Sequence, residues 1–405
     1  MGVFPATNTP NGGKKPPYSP HTPPRGLTFF VYRQYGAYYS RIQFKTSVIH
    51  VTSQQLFPSK KTIQNHFNLI SSKTPRLYRK GLFMKNIIHA ILEYKLRPTY
   101  VIDEQSARRH IEHWLNQFDK KYQEAIITTM DQIMGCGLFI DKERYINMCS
   151  TKAKDPVLTN NDPRAYWAKT FILDCQKDGK SQKAMVEILK EALLKENIAY
   201  CQDERKAENL FYLDDFAFTF GRISNDITNL DNSKKISICP IVLHSYNEWY
   251  FADHHKEINL LHCLRLENRA CCKNQSEVFW PHIKCMQNNI FKEKFQAMGL
   301  CDSYLRDTPA TGNNQVFPNE DARIMCEEAF FIKGAEIWSR LSDEKKKIYR
   351  PLGVVPYRRG WGFGGSVFSY RNCPNATPLV IWWGSYSPLS TFNWYPLMIR
   401  DGYSR

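Results

Sequence analysis

The sequence predicts an α/β protein, and three observations point that way. Leu27 to Tyr32 and Ile42 to Val51 are rich in β-branched and aromatic residues, as strands are. Phe83 to Leu96 and the set Ala107, Ile111, Trp114, Leu115 and Phe118 repeat their apolar residues at helical spacing. Between those helices lies the short extended stretch Pro98-Thr99-Tyr100-Val101-Ile102, and further on Ile236 to Leu243 has the apolar, β-branched character of a buried strand. Strands and helices alternate, which favours helices packed on a sheet.

Taken in order, residues 1–26 read as a disordered proline-rich arm. Gly, Pro, Asn and Ser dominate there, and nothing apolar repays the entropy of ordering. Residues 27–307 read as the main α/β domain. Within it, 119–215 is expected to be mostly helical, with Met185, Ile188, Leu189 and Leu193 forming one apolar stripe. Asp253 to Cys272 is expected to be a helix carrying His254, His255, His262 and Cys263. Residues 308–350 read as a Pro/Gly linker followed by a helical hairpin. The tail, 351–405, reads as a smaller α+β extension rich in Gly, Trp and Tyr, with Leu379 to Trp383 strand-like.

Composition narrows the class. Hydrophobic residues make up 42% and charged residues 23% of 405, ordinary values for a chain with a core. No run approaches the roughly 18–20 apolar residues that cross a bilayer, and Met1 to Arg25 has no apolar centre like that of a secretory leader. The 12 cysteines are scattered, so reduced thiols are expected in a reducing compartment, with no membrane partner. The net charge of +16 is unevenly placed: residues 1–110 hold 17 Lys/Arg against 3 Asp/Glu. Tyr and Phe interleave with those cations, so the expected partner is RNA or DNA, met by phosphate contacts and base stacking. The candidate contacts are Lys60, Lys61, Arg76, Arg79, Lys80, Arg108 and Arg109.

Two constellations could carry chemistry. His255 and Cys263 are soft-metal ligand types, with zinc the implied cofactor. Eight residues of continuous helix would separate them by about 12 Å, so both reach one ion only if His255 lies at or before the first helical turn. Cys239, His244, Cys271 and Cys272 are available to complete a site. The other constellation is Trp338-Ser-Arg-Leu341-Ser342-Asp-Glu344-Lys345-Lys346-Lys347-Ile-Tyr349. There Ser342 is placed to cap a helix, Trp338 and Tyr349 to close an apolar corner, and the three lysines to face outward. No Walker loop, G-x-S-x-G or G-x-G-x-x-G is present.

The stretch His255 to Cys263, running on into Leu264-Arg265-Leu266, resembles the signature of the Maelstrom domain. Arg97-Pro98-Thr99-Tyr100 with the following Ile111 and Trp114-Leu115 is similar to that family's Pro-Pro-x-Tyr strand and helix. The resemblance implies an RNase H-like mixed sheet with flanking helices over residues 27–307 and a Glu-Cys-His-Cys zinc cluster. His255 and Cys263 fill its last two positions. The expected cysteine is Ala252, and Tyr38 to Phe44 lacks the expected glutamate. The hairpin resembles the junction of the second and third helices of an HMG box, with Lys345, Lys346 and Lys347 toward nucleic acid. The implied function is RNA binding in piRNA-type transposon silencing with small-RNA silencing proteins, in nucleus, cytoplasm and perinuclear granules. Single-stranded RNA cleavage would accompany it in some members. The first 92 residues hold no Asp or Glu, so no catalytic residue is named. The alternatives are a noncatalytic nucleic-acid scaffold and a viral packaging protein.

Overall fold

The computed structural model describes residues 84–175, 180–228, 230–231, 233–307, 316–355, 360–387 and 394–400. The expected N-terminal strands and arm, and most of the expected linker, lie outside them. Three helices open the described chain: α1 (Lys85–Glu93), α2 (Glu104–Leu115) and α3 (Lys120–Ile133). The apolar spacing predicts their buried faces well, with Ile87, Ile88 and Ile91 covered on α1 and Ala107, Ile111 and Trp114 on α2. Asp103 starts α2 with a capping box: its carboxylate accepts the Ser106 N–H at 2.8 Å, and Ser106 Oγ accepts the Asp103 N–H at 3.0 Å.

A turn then leads to β1 (Phe139–Ile140), α4 (Lys142–Ala153), α5 (Pro156–Thr159), α6 (Pro163–Ala168), β2 (Thr170–Ile172), α7 (Lys180–Lys195) and β3 (Asn209–Ala217). Next come α8 (Gly221–Ile227), β4 (Lys235–His244), α9 (Glu248–His254), β5 (Asn259–Leu260) and β6 (Leu264–Leu266). The main sheet runs β2-β3-β4-β5, with β6 also on β4, and every pairing in it is parallel. Parallel neighbours need crossovers, and α7, α8 and α9 supply them. The α/β class therefore holds.

Pro240 explains the split outer strand. It lies in β4 and has no N–H to give. β5 pairs with Ser237 and Ile238 before it, and β6 with Val242 to His244 after it. The helix expected over Asp253 to Cys272 thus ends at His254 and gives way to two short strands that prolong the sheet.

Both faces of the sheet are covered, as parallel strands require. Phe211 and Leu213 of β3 belong to the larger core, with Met185, Val186, Leu189 and Leu193 of α7. Leu210 and Tyr212 belong to the smaller one, with Ile223 and Ile227 of α8 and Phe251 of α9. The larger core runs on into the rest of the chain: α10 (Asn289–Ala297), α11 (Glu320–Ser339), α12 (Asp343–Ile348), β7 (Tyr349–Arg350), β8 (Gly353–Val354), β9 (Phe368–Ser369) and α13 (Leu379–Trp382). The expected strand at Leu379 to Trp383 is therefore one buried helical turn. α11 buries Ile324, Phe330, Phe331 and Ile337 on several sides, as a helix inside a core does. Its Gly334 is needed for contact, since a Cβ there would stand 2.6 Å from the Pro351 carbonyl oxygen.

A buried ionic network fastens α11 to the chain before it. Glu327 accepts from Arg323 Nε at 2.8 Å, from Arg306 Nη2 at 2.9 Å and from the Trp280 N–H at 2.8 Å. Arg323 Nη2 donates to the carbonyls of Ser276 and Val278, and Arg306 also meets Glu320 at 2.7 Å. Arg306, Arg323 and Glu327 are almost wholly buried, so each needs the others. Among the described residues no helix is long and apolar enough to cross a membrane. Glu327→Gln leaves two buried guanidiniums without their shared carboxylate. It is expected to lower unfolding free energy by about 3–5 kcal/mol, measured by urea denaturation.

Candidate active site

Parallel strands bring their C-terminal ends to one edge, where ligands of open α/β sheets bind. Ala217, Leu243 and Arg265 stand in one row across β3, β4 and β6 at this edge. Just before Ala217 on β3 are two adjacent carboxylates, Asp214 and Asp215, 9% and 4% exposed. Alternation on the strand sends them to different surroundings.

Asp215 is gripped by residues distant in sequence. The phenol of Tyr145, on α4 and fully buried, donates to its Oδ1. Arg371, just past β9, brings Nη1 to 3.8 Å of the same oxygen. Burial, and then the Asp215 charge, push the Tyr145 phenol well above its ordinary value, so it remains a proton donor. Asp214 lies toward α8. Burial first, and next the neighbouring Asp215 charge, raise its carboxyl to about 7.

The chain leaves β3 through Phe218, Thr219 and Phe220 into α8. Phe220 takes a left-handed backbone with φ 61°, unusual for a bulky residue and a mark of a constrained turn. Asn247 Nδ2 donates to the Thr219 carbonyl at 3.1 Å and ties this turn to the one after β4. His244, at the end of β4, stacks on Phe218 with ring centres 4.7 Å apart. After β6, Glu267 accepts from Ser245 Oγ and meets Arg269 at 3.0 Å. Burial alone would raise its carboxyl, but hydrogen bonds from Arg269 and Ser245 outweigh it and hold it at about 2. Arg265 pairs with Glu248 of α9 at 2.6 Å. The edge is a rim of paired charges around a carboxylate pair.

A family model for PRTase-CE matches residues 111–400. The chain belongs to the PRTase-CE family. This is a phosphoribosyltransferase-type family. No curated protein matches the chain. The PRTase-CE match takes in the whole sheet, both aspartates, Tyr145 and Arg371.

Membership in PRTase-CE overturns the Maelstrom resemblance and the piRNA silencing role drawn from it. The scaffold and packaging alternatives gain no support from it either. The physical reason for the misreading is local. The residue pattern from Asp253 to Cys272 suggests one helix, whereas the chain there is a helix end followed by two strands. His255 lies against Phe251 in a tilted ring contact, with ring centres 4.6 Å apart, on the smaller core's side. Cys263 packs against the larger core, beside Cys239 and near Cys149. Among the described residues no group of three or more His, Cys, Asp or Glu is placed to hold a metal ion.

The HMG-box reading is likewise replaced by the PRTase-CE match, although its corner is real. Ser342 caps α12, and Trp338 Nε1 donates to the Tyr349 carbonyl at 2.9 Å. Lys345 and Lys346 lean on the rings of Trp383 and Trp338, at 5.0 and 5.7 Å, while Lys347 is exposed. Of the expected phosphate contacts, Arg109 is exposed and Arg108 is half-buried against the Met84 sulfur. Lys60, Lys61, Arg76, Arg79 and Lys80 lie outside the described residues.

Sequence reasoning missed Asp214 and Asp215 because it merged β3 into a helical region. The available signal was the apolar run Leu210 to Leu213, broken by two acids and followed by Gly221. A proton held more tightly by the folded state stabilises it at low pH. For Asp214 that contribution is complete below 3.8 and is lost as pH rises to about 7. Asp214→Asn should therefore gain stability over the parent across that window, by at most about 4 kcal/mol. Urea denaturation of both proteins from pH 4 to 7.5 checks this, and parallel curves would contradict the burial of a protonated Asp214.

Proposed function

We propose that the protein is a phosphoribosyltransferase, moving a 5-phosphoribosyl group from a diphosphate-activated donor to an acceptor at the edge of the sheet around Asp214 and Asp215. The observation that carries this is the carboxylate pair on the central parallel strand, inside the stretch that matches PRTase-CE. Breaking the bond between a pentose anomeric carbon and its leaving group builds positive charge on the ring, which nearby carboxylates stabilise. Carboxylates at this edge also accept hydrogen bonds from ribose hydroxyls, the role acidic residues play in dinucleotide sites. Tyr145 and Arg371 would fix the orientation of Asp215, and Asp214, titrating near neutrality, would exchange a proton with a hydroxyl or an incoming acceptor.

The reading is tested with 5-phosphoribosyl 1-diphosphate in magnesium buffer, by calorimetry and by pyrophosphate release. Binding by the parent is expected. Asp215→Asn should weaken it about 10–150-fold, the cost of one hydrogen bond to a charged group at about 1.5–3 kcal/mol. No binding by the parent, or equal binding by the variant, would remove the assignment.

A further inference from the structure

Beyond the carboxylate pair, and independent of the reading above, two adjacent cysteines place their thiols together near the surface. Cys271 and Cys272 sit in a short 3-10 stretch, Ala270–Gln275, directly after β6 and the Glu267–Arg269 pair. Cys271 is exposed and Cys272 half-buried, and their sulfurs are 3.7 Å apart. Adjacent residues rarely aim both thiols the same way. Here Cys272 leaves helical geometry (φ −117°, ψ 31°) as the two sulfurs converge. Burial, and then the neighbouring Cys271 sulfur, raise the Cys272 thiol.

We propose that Cys271 and Cys272 form a surface vicinal dithiol that low-molecular-weight disulfides oxidise reversibly to an intrachain disulfide. The exposed Cys271 thiolate attacks one sulfur of the small disulfide, forming a mixed disulfide and releasing one small thiolate. Cys272, deprotonated in turn, attacks Cys271 Sγ, closes the ring and releases the second. Two electrons pass to the small disulfide, and the two thiol protons end on the two small thiols. Neighbouring Cα atoms are about 3.8 Å apart, below the usual disulfide range of about 4.4–6.8 Å. The ring is therefore strained and easily reopened, the behaviour of a regulatory bond rather than a structural one.

Closure has a route to the sheet. Cys272 donates its N–H to the Arg269 carbonyl at 3.0 Å, and Arg269 donates its own N–H to Glu267 at 2.7 Å. Glu267 in turn holds Ser245 at the end of β4, and Ser245 Oγ accepts the Asn268 N–H at 2.7 Å. A change in the 271–272 backbone thus pulls on the turn beside the carboxylate edge.

The test treats the full chain, carrying Cys301→Ser to remove another exposed thiol, with graded glutathione disulfide. Peptide mass spectrometry should find two hydrogens lost from the peptide spanning 270–275, regained with dithiothreitol. Cys271→Ser in the same background should not show that loss. Phenylarsine oxide should be captured at one per chain and released by 2,3-dimercaptopropanol but not by a monothiol. Hydrogen exchange at the Ser245 and Asn268 amides should differ between the two redox forms. Glutathione adducts without ring closure, or arsenical capture that survives Cys271→Ser, would overturn the site. Unchanged exchange after closure would overturn its link to the sheet.

Discussion

A carboxylate on a strand covered on both faces must find partners or give up its charge, and this constraint organises the molecule. β3 lies between two cores yet carries Asp214 and Asp215 side by side. Leaving both ionised and unpaired there would cost several kcal/mol. The two resolve the cost differently. Asp215 recruits Tyr145 from α4 and Arg371 from the far end of the chain, whereas Asp214 keeps a proton up to about neutral pH. Giving two neighbouring carboxyls different surroundings is how active sites divide acid and base roles.

Arg371 can serve Asp215 only because the segment around it is pinned. β9 pairs in parallel with β1, the Tyr370 N–H donates to the Ile140 carbonyl at 2.9 Å, and the Lys95 N–H donates to the Tyr370 carbonyl at 2.7 Å. Farther back, Gly364 adopts φ 76° and accepts the Phe279 N–H at 2.7 Å, an approach that a side chain at that position would block. Phe279 adjoins Trp280, whose N–H is held by Glu327. The ionic network, the glycine contact and the short parallel pair are thus links of one support that ends at the carboxylate edge.

Helices were largely legible in the sequence, because apolar spacing is a local property. The stripes of α1, α2 and α7 and the Ser342 cap stand where residue patterns put them. β4 was legible too, as the apolar, β-branched stretch Ile236 to Leu243. β3 was not, since its two acids interrupt the run and only tertiary partners make a buried Asp tolerable. Tyr145 and Arg371 carried no local mark at all: Tyr145 meets Asp215 across 70 residues of chain, and Arg371 meets it across more than 150. The His255 to Cys263 spacing failed for the opposite reason. A spacing has chemical meaning only on a known backbone, and Pro240, on a neighbouring strand, decides that backbone.

The placement of the late segment has a consequence during synthesis. A ribosome delivers α4, β3 and β4 well before residues 368–400 appear. Until then Asp215 lacks its cation, and α1 lacks the acceptor of its Tyr94 hydroxyl, the Ile399 carbonyl at 2.6 Å. Trp114 Nε1 likewise waits for the Val380 carbonyl, 2.8 Å away in the finished protein. The nascent chain is therefore obliged to hold a sheet whose supporting core is incomplete, with apolar surface open to chaperones, until translation has passed these last contacts. Chains released early would keep every strand of the main sheet and still fail to assemble the carboxylate edge.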